Sequence, residues 1–188
     1  MVNVLVASQK RSQNFAGRTW RMLGKPLAAV LLIYLAAVAI AAGVAAISPL
    51  ADIDKSANSD ASAWEIFLNN AGVLPWIWMG LVSFGLVSLA VMCLNGALLG
   101  WVVGKSITDG NAVDIVTGIA PHFLPEMGAF FRSAAITIAI AVRLPLFFRK
   151  DRSRAEWPEY LRMWLVVQLL AILLLAIGAV VEGSLSYV

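Results

Sequence analysis

The stretch LAAVLLIYLAAVAIAAGVAAIS, residues 27–48, contains no charged side chain. Wound as a helix at 1.5 Å per residue it is long enough to cross a hydrocarbon layer of about 30 Å. The whole chain agrees with this reading: it is 61% hydrophobic and only 13% charged, with a mean hydropathy of +0.84. Soluble domains are roughly half apolar and a quarter charged, so this is an integral membrane protein. A basic segment precedes the run, and small residues near Ala45 and Ala46 would suit a signal peptidase. The apolar core is nevertheless longer than the roughly 7–15 residues of a signal sequence, and further spans follow, so the run is expected to be a retained anchor.

Charge placement predicts orientation. Lys10, Arg11, Arg18, Arg21 and Lys25 lie before the first span without an acidic residue, which by the positive-inside rule keeps the N-terminus cytoplasmic. The next connection carries Asp52, Asp54, Asp60 and Glu65 against Lys55 and suits the external side. Further on, Arg143, Arg149, Lys150, Arg152, Arg154 and Arg162 outweigh Asp151, Glu156 and Glu159, which marks a second cytoplasmic loop. A last span over 163–181 then leads to an external C-terminus.

Between these landmarks, residues 66–104 are almost continuously apolar. The helix over 129–142 has to deliver Arg143 to the cytoplasm, so the connection before it is external and the middle region needs two crossings, or a re-entrant piece with an anomaly elsewhere. Pro75, Gly80 and Gly85 offer a tight apolar turn at PWIWMG or SFG. The expectation is an all-α, polytopic membrane protein of about five membrane elements, some broken or re-entrant, in which one long helix from 75 to 104 has no place. Residues 1–26 form a basic segment, read either as an amphipathic helix in the cytoplasmic headgroups or as a tail, and residues 27–188 form the helical membrane domain. The tryptophans sit mainly near the expected interfaces. The lone Cys93 rules out an intrachain disulfide framework. Basic residues hug the span ends with no stacking platform or zinc spacing, so nucleic-acid binding is not expected.

NGALLGWVVG places Gly96, Gly100 and Gly104 at spacing four, a helix face that lets another backbone approach closely. Ala37, Ala41 and Ala45 form a similar stripe on the first span, and the two stripes are expected to pack on each other or across a homodimer. Polar groups inside apolar sequence are costly unless turned toward a partner or a cavity. Asn69 or Asn70, Asn95, His122, Glu126 and Glu182 stand out in this way. A helix beginning at Pro121 puts His122 and Glu126 on one face, and beginning at Pro125 it leaves His122 in the preceding bend. Either start holds Glu126 near a helix N-terminus, where the macrodipole favours an anion. Arg132, six residues on, projects to another face and is expected to pair with a carboxylate such as Glu182 or to snorkel outward.

The ordered set IFLNNAGV, CLNGALLG, PHFLPE and the final VVEG resembles the stage II sporulation protein M family of bacterial and archaeal membrane proteins. Two departures stand out: Phe123 follows the histidine where the family usually has glycine, and the terminal glutamate lacks a following Thr-Pro pair. The resemblance implies a multispan helical protein with Asn95, Gly96, Gly100, His122, Glu126 and Glu182 as the family site. In sporulating bacteria the named member is tied to membrane migration during engulfment, with peptidoglycan-degrading partners.

Three chemistries are open to such a cluster. It can be an interhelical polar clamp, a proton or cation path of a small-ion or small-solute transporter, or a divalent-metal site on His122, Glu126 and Glu182. No His-Glu-x-x-His motif is present, and a single histidine does not build most zinc centres. Catalysis by Cys93 with His122, or by Lys105 beside Ser106, requires a convergence the spacing does not provide, so an enzyme is not expected. The leading expectation is a scaffold in membrane remodelling or cell-envelope assembly, in contact with the lipid bilayer, with further copies of itself and with cell-envelope proteins.

Overall fold

The structure, a computed structural model, describes residues 2–48, 62–110, 112–147 and 153–185, with side chains described over 17–48, 62–110, 123–145 and 157–184. All regular structure among the described residues is helical: α1 (Val2–Ile47), α2 (Ala63–Ala71), α3 (Val73–Trp78), a 3-10 turn (Met79–Leu81), α4 (Leu86–Thr108), α5 (Ala112–Ala141), α6 (Leu144–Phe147) and α7 (Ser153–Leu185). Four stretches are long and apolar enough to cross a membrane: Gly17–Ile47, Leu86–Thr108, Phe123–Ala141 and Trp157–Ser184. The chain is a multi-pass membrane protein.

The fifth element is the broken pair α2–α3, and it occupies the place where a second crossing in the middle region is expected. α2 stops at Gly72, whose amide bonds back to the Leu68 carbonyl at 2.9 Å, and α3 ends in the 3-10 turn. Phe84 and Gly85 then take positive φ values of 53° and 92°, and the chain reverses into α4. The bend satisfies its own polar groups: Gly85 N–H donates to the Gly80 carbonyl at 2.7 Å, and the Ser88 hydroxyl to the Ile77 carbonyl at 2.6 Å. Such closure is what lets irregular backbone exist at membrane depth. A side chain at Gly85 would meet Ile138 at 3.0 Å as well as the strain of its φ, so the turn fits against α5 only as glycine. Pro75 does not form the break; it lies in the first turn of α3, where its missing N–H costs nothing.

α1 and α4 run parallel in tight register. Cβ atoms added at Gly96, Gly100 and Gly104 would run into the main chain of Tyr34, Val38 and Ala42 in turn, the one at Gly96 lying 2.7 Å from the Tyr34 carbonyl oxygen and the one at Gly100 2.8 Å from the Val38 Cα. Each step of four on α4 meets a step of four on α1, so the glycine stripe is filled within the chain. The α1 side of the contact includes Ala37 and Ala45 of the expected stripe, together with Tyr34, Val38 and Ala42. At one end Lys105 on α4 donates from Nζ to the Ser48 carbonyl at 2.8 Å, satisfying an orphan acceptor at the end of α1.

α5 is the central strut. Its second half, SAAITIAIA, is small or β-branched throughout, so neighbours approach from several sides and nearly every residue from Ser133 to Ala141 is buried. Val30 and Tyr34 of α1, Leu74 and Ile77 of α3, Met92 of α4, and Ala171 and Leu175 of α7 close around Ala129, Phe130 and Ala134. Leu23, Met163 and Val167 pack on Ala135, Ile136 and Ile140. α7 runs antiparallel to α5, as Gly178 over Glu126 and Gln168 beside Ser133 show. Large apolar side chains such as Leu32, Ile40, Leu94, Leu98, Leu169 and Leu173 are exposed, as lipid-facing positions are.

Two expectations need correction. Residues 2–26 are not a separate helix or tail; α1 runs unbroken from Val2 through Pro26 into the uncharged run at 27–48. α5 begins at Ala112, not at Pro121, Pro125 or Ala129, and both prolines lie inside it. The expected acidic loop (Asp52, Asp54, Lys55, Asp60), the side chains of Lys10, Arg11, Arg154 and Glu156, and Arg149, Lys150, Asp151 and Arg152 lie outside the described residues.

Candidate functional site

The polar site is assembled by α2, α5 and α7. α2 starts with Ser62 as N-cap: the Ser62 hydroxyl accepts from the Glu65 amide at 3.3 Å, and the Glu65 carboxylate accepts from the Ser62 amide at 2.8 Å and its hydroxyl at 2.7 Å. This reciprocal cap holds the Glu65 carboxyl below the ordinary carboxylate range, through the Ser62 hydroxyl first and its amide second. It also fixes the start of α2 beside the end of α7, where Gly183 lets Ala63 approach so closely that an added Cβ would lie 2.9 Å from its own. Two turns later Asn70 faces inward, and its Nδ2 donates to Glu126 Oε1 at 2.5 Å.

Glu126 is 8% exposed. It lies in the apolar part of α5, about four turns from the helix start, so the macrodipole expected to favour an anion there does not reach it. Its room is made by α7: a Cβ at Gly178 would come 3.0 Å from Glu126 Cγ and 3.5 Å from Pro125 Cγ. Glu182 lies one turn beyond Gly178 on the same face of α7 and is half-buried. Of the positions singled out in the sequence, Asn70 and Glu126 therefore meet directly. Gly178 was not among the candidates; its spacing of four before Glu182 is the signal that marks it.

The remaining candidates are placed differently. Asn69 is exposed. Asn95 donates from Nδ2 to the Val91 carbonyl of its own helix at 2.9 Å and takes no part in the Asn70–Glu126 contact. His122 sits on α5 one turn before Glu126, and its side chain lies outside the described residues. Arg132 does not pair with Glu182: the antiparallel register sets it level with the middle of α7, several turns away, and it is exposed with no ion pair among the described residues. Among those residues no group of three or more His, Cys, Asp or Glu is arranged to hold a metal ion.

A second buried polar layer lies deeper, and sequence reasoning missed it. Gln168 Oε1 accepts from Trp78 Nε1 at 2.9 Å and from the Ser133 hydroxyl at 2.7 Å, while Trp164 Nε1 donates to Thr137 Oγ1 at 3.1 Å. Trp78 and Trp164 meet edge to face at 5.6 Å, which joins the two hydrogen-bonded groups into one layer. Gln168 Nε2 is buried without a partner, as is the Tyr34 hydroxyl. The lone amide in LVVQLLA and the i, i+4 pair Ser133 and Thr137 were the available signals.

Chemically, a buried carboxyl with an amide donor can tie two helices together, and with a second carboxyl near by it can share a proton or hold a cation. In comparisons with known proteins, the family described as Stage II sporulation protein M matches residues 24–187. The chain is also similar to an uncharacterized protein of Methanocaldococcus jannaschii, 25% identical over 118 residues. That match spans 62% of this chain and 66% of the relative, a little under two thirds of its length. No solved structure matches.

Proposed function

We propose, from the premise that the chain belongs to the stage II sporulation protein M family, that it is a membrane-embedded scaffold serving membrane remodelling or cell-envelope assembly. In this reading Asn70, Glu126 and Glu182 clamp the broken α2–α3 element onto α5 and α7. The basic end of the bundle faces the cytoplasm, so the clamp lies toward the external side, where cell-envelope proteins would engage the α2 end. Self-association would use a lipid-facing surface, because the glycine face of α4 already holds α1.

The observation supporting the clamp is the Asn70–Glu126 hydrogen bond, made by a carboxyl almost wholly withdrawn from solvent and seated over a glycine of α7. Both partners come from separate elements, and a buried polar group left without its partner is costly, so the pair favours one docked arrangement of α2. Glu126→Gln keeps an oxygen for Asn70 to donate to, whereas Glu126→Ala removes it. The clamp reading expects Glu126→Gln to retain stability and to restore envelope function in cells lacking the chain, and Glu126→Ala to fail in both.

A second reading is favoured by the placing of Glu182 one turn beyond Gly178, on the α7 face that covers Glu126: two intramembrane carboxyl groups that share a proton or a cation form a small-ion pathway. Under it, ion flux in proteoliposomes is measurable and Glu126→Gln abolishes it while the fold survives. A divalent-metal reading on His122, Glu126 and Glu182 has less support, since one oxygen of Glu126 is already engaged by Asn70. Elemental analysis of the purified protein decides it.

A further inference from the structure

A cleft of about 330 Å³ opens between the starts of α1 and α7, far from the Asn70–Glu126 site, lined by Arg18, Arg21 and Met22 on one helix and Glu159, Tyr160 and Met163 on the other. On α1 the three residues fall at i, i+3 and i+4, so they share one face. Met163 is buried and Met22 half-buried, and these two flexible thioethers supply the apolar lining. Arg18 NH1 donates to both Glu159 oxygens, at 3.2 and 3.0 Å, which stretches the guanidinium across the cleft. Arg21 spends only Nε, on the Gly17 carbonyl at 3.4 Å. Glu159 offsets one of the two cations, so the lining keeps a net positive charge.

Depth in the membrane decides what such a cleft can take. The cleft lies where the charged portions of both helices give way to their uncharged runs, which begin at Leu27 and Met163. Trp20 is 63% exposed here, and Trp157 packs edge-on against Tyr160 at 6.1 Å. Aromatic side chains of this kind mark the headgroup layer. A ligand with an anionic group at headgroup depth and hydrocarbon below it meets both parts of the cleft. A free phosphate meets only the arginines.

We propose that this cleft binds an anionic phospholipid, with the phosphodiester on Arg18 and Arg21 and an acyl chain along Met22 and Met163. Guanidinium groups match phosphate oxygens in fork geometry, and basic pockets between membrane helices are a general form of headgroup recognition. Glu159 competes with the phosphate for Arg18, so the site discriminates by displacement as well as by attraction.

The test is native mass spectrometry of the full chain in a neutral detergent, titrated with phosphatidylglycerol and phosphatidylcholine of identical acyl chains. Phosphatidylglycerol is expected to bind about tenfold more tightly. Arg21→Gln should reduce that preference at least fivefold, Arg21→Lys should restore part of it, and Glu159→Gln should strengthen it. Arg132→Gln, an exposed arginine outside the cleft, should leave it unchanged. Equal losses in Arg21→Gln and Arg132→Gln would overturn the proposal in favour of unlocalised charge attraction. Competition by inorganic phosphate at the potency of the lipid would overturn it in favour of a free-anion site. A thermal melt of each variant identifies any loss that reflects misfolding, and Arg21→Lys then carries the test.

Discussion

Gly100→Ala is the sharpest probe of how the first span is held. A methyl group at Gly100 would collide with the Val38 carbonyl oxygen and lie 2.8 and 2.9 Å from the Val38 Cα and carbonyl carbon. All three are main-chain atoms, so no side-chain rotation relieves the clash and α1 has to move away from α4. Overpacking of this kind costs ~1–3 kcal/mol, and the immobility of the neighbours puts this site at the upper end of that range. Alanine regains about 1 kcal/mol of helix propensity over glycine, leaving a net loss of about 2 kcal/mol. Gly43→Ala on α1 is the matched control, because nothing lies within 4 Å of its added Cβ and the propensity gain of ~0.5–1 kcal/mol stands alone. Unfolding in mixed detergent and dodecyl sulfate, followed by tryptophan fluorescence, should shift the midpoints of the two variants in opposite directions. A Gly100→Ala protein as stable as Gly43→Ala would refute the intrachain register. A change in oligomeric state without a change in stability would assign the glycine face to contacts between copies.

Asn70→Ala should cost ~1.5–3 kcal/mol in the same unfolding assay, since it strips the donor from a buried carboxyl, with Asn69→Ala near neutral. Gln168→Leu leaves the Trp78 and Ser133 donors buried and unpaired at about 1–3 kcal/mol each, and should also shift the tryptophan emission. Arg132→Leu removes an exposed cation that has no ion pair among the described residues, so stability should hold or rise; a loss above about 1 kcal/mol would reveal a partner. Because the folded Glu65 carboxyl is held below its ordinary value of 4.5, the cap of α2 is complete above that pH and is lost as pH falls through the lowered value. The Ser62 amide resonance should report this midpoint, and Ser62→Ala should return Glu65 toward its ordinary value.

What could be read from the sequence follows from which signals survive transfer into a membrane. The run at 27–48 and the basic clusters at both ends imposed an odd number of crossings, and Gly85, the one residue suited to the positive φ it adopts, marked the reversal in an apolar stretch with no charged loop. Proline misled in the opposite direction. Pro121 and Pro125 read as helix starts because each lacks a donor, yet α5 runs through both, as membrane helices tolerate. That error moved the start of α5 and with it the macrodipole assigned to Glu126. Within the site, Asn70, Glu126 and Glu182 were legible as costly polar groups, whereas Gly178 and Gln168 were not: a glycine signals only through what it admits, and Gln168 depends on partners from α3 and α5. Of the two expectations for Arg132, pairing with Glu182 fails on the register between helices, which a single sequence does not carry.

The parallel seating of α4 on α1 also sets a timetable for synthesis. The strip from Tyr34 to Ala45 finds its companion only when Gly96 to Gly104 are made, roughly sixty residues later, or about 3–12 s at 5–20 residues per second. For that interval the first span stands in the bilayer with its closest-fitting side open. Any insertion factor that shelters the nascent protein has its briefest and most critical task there.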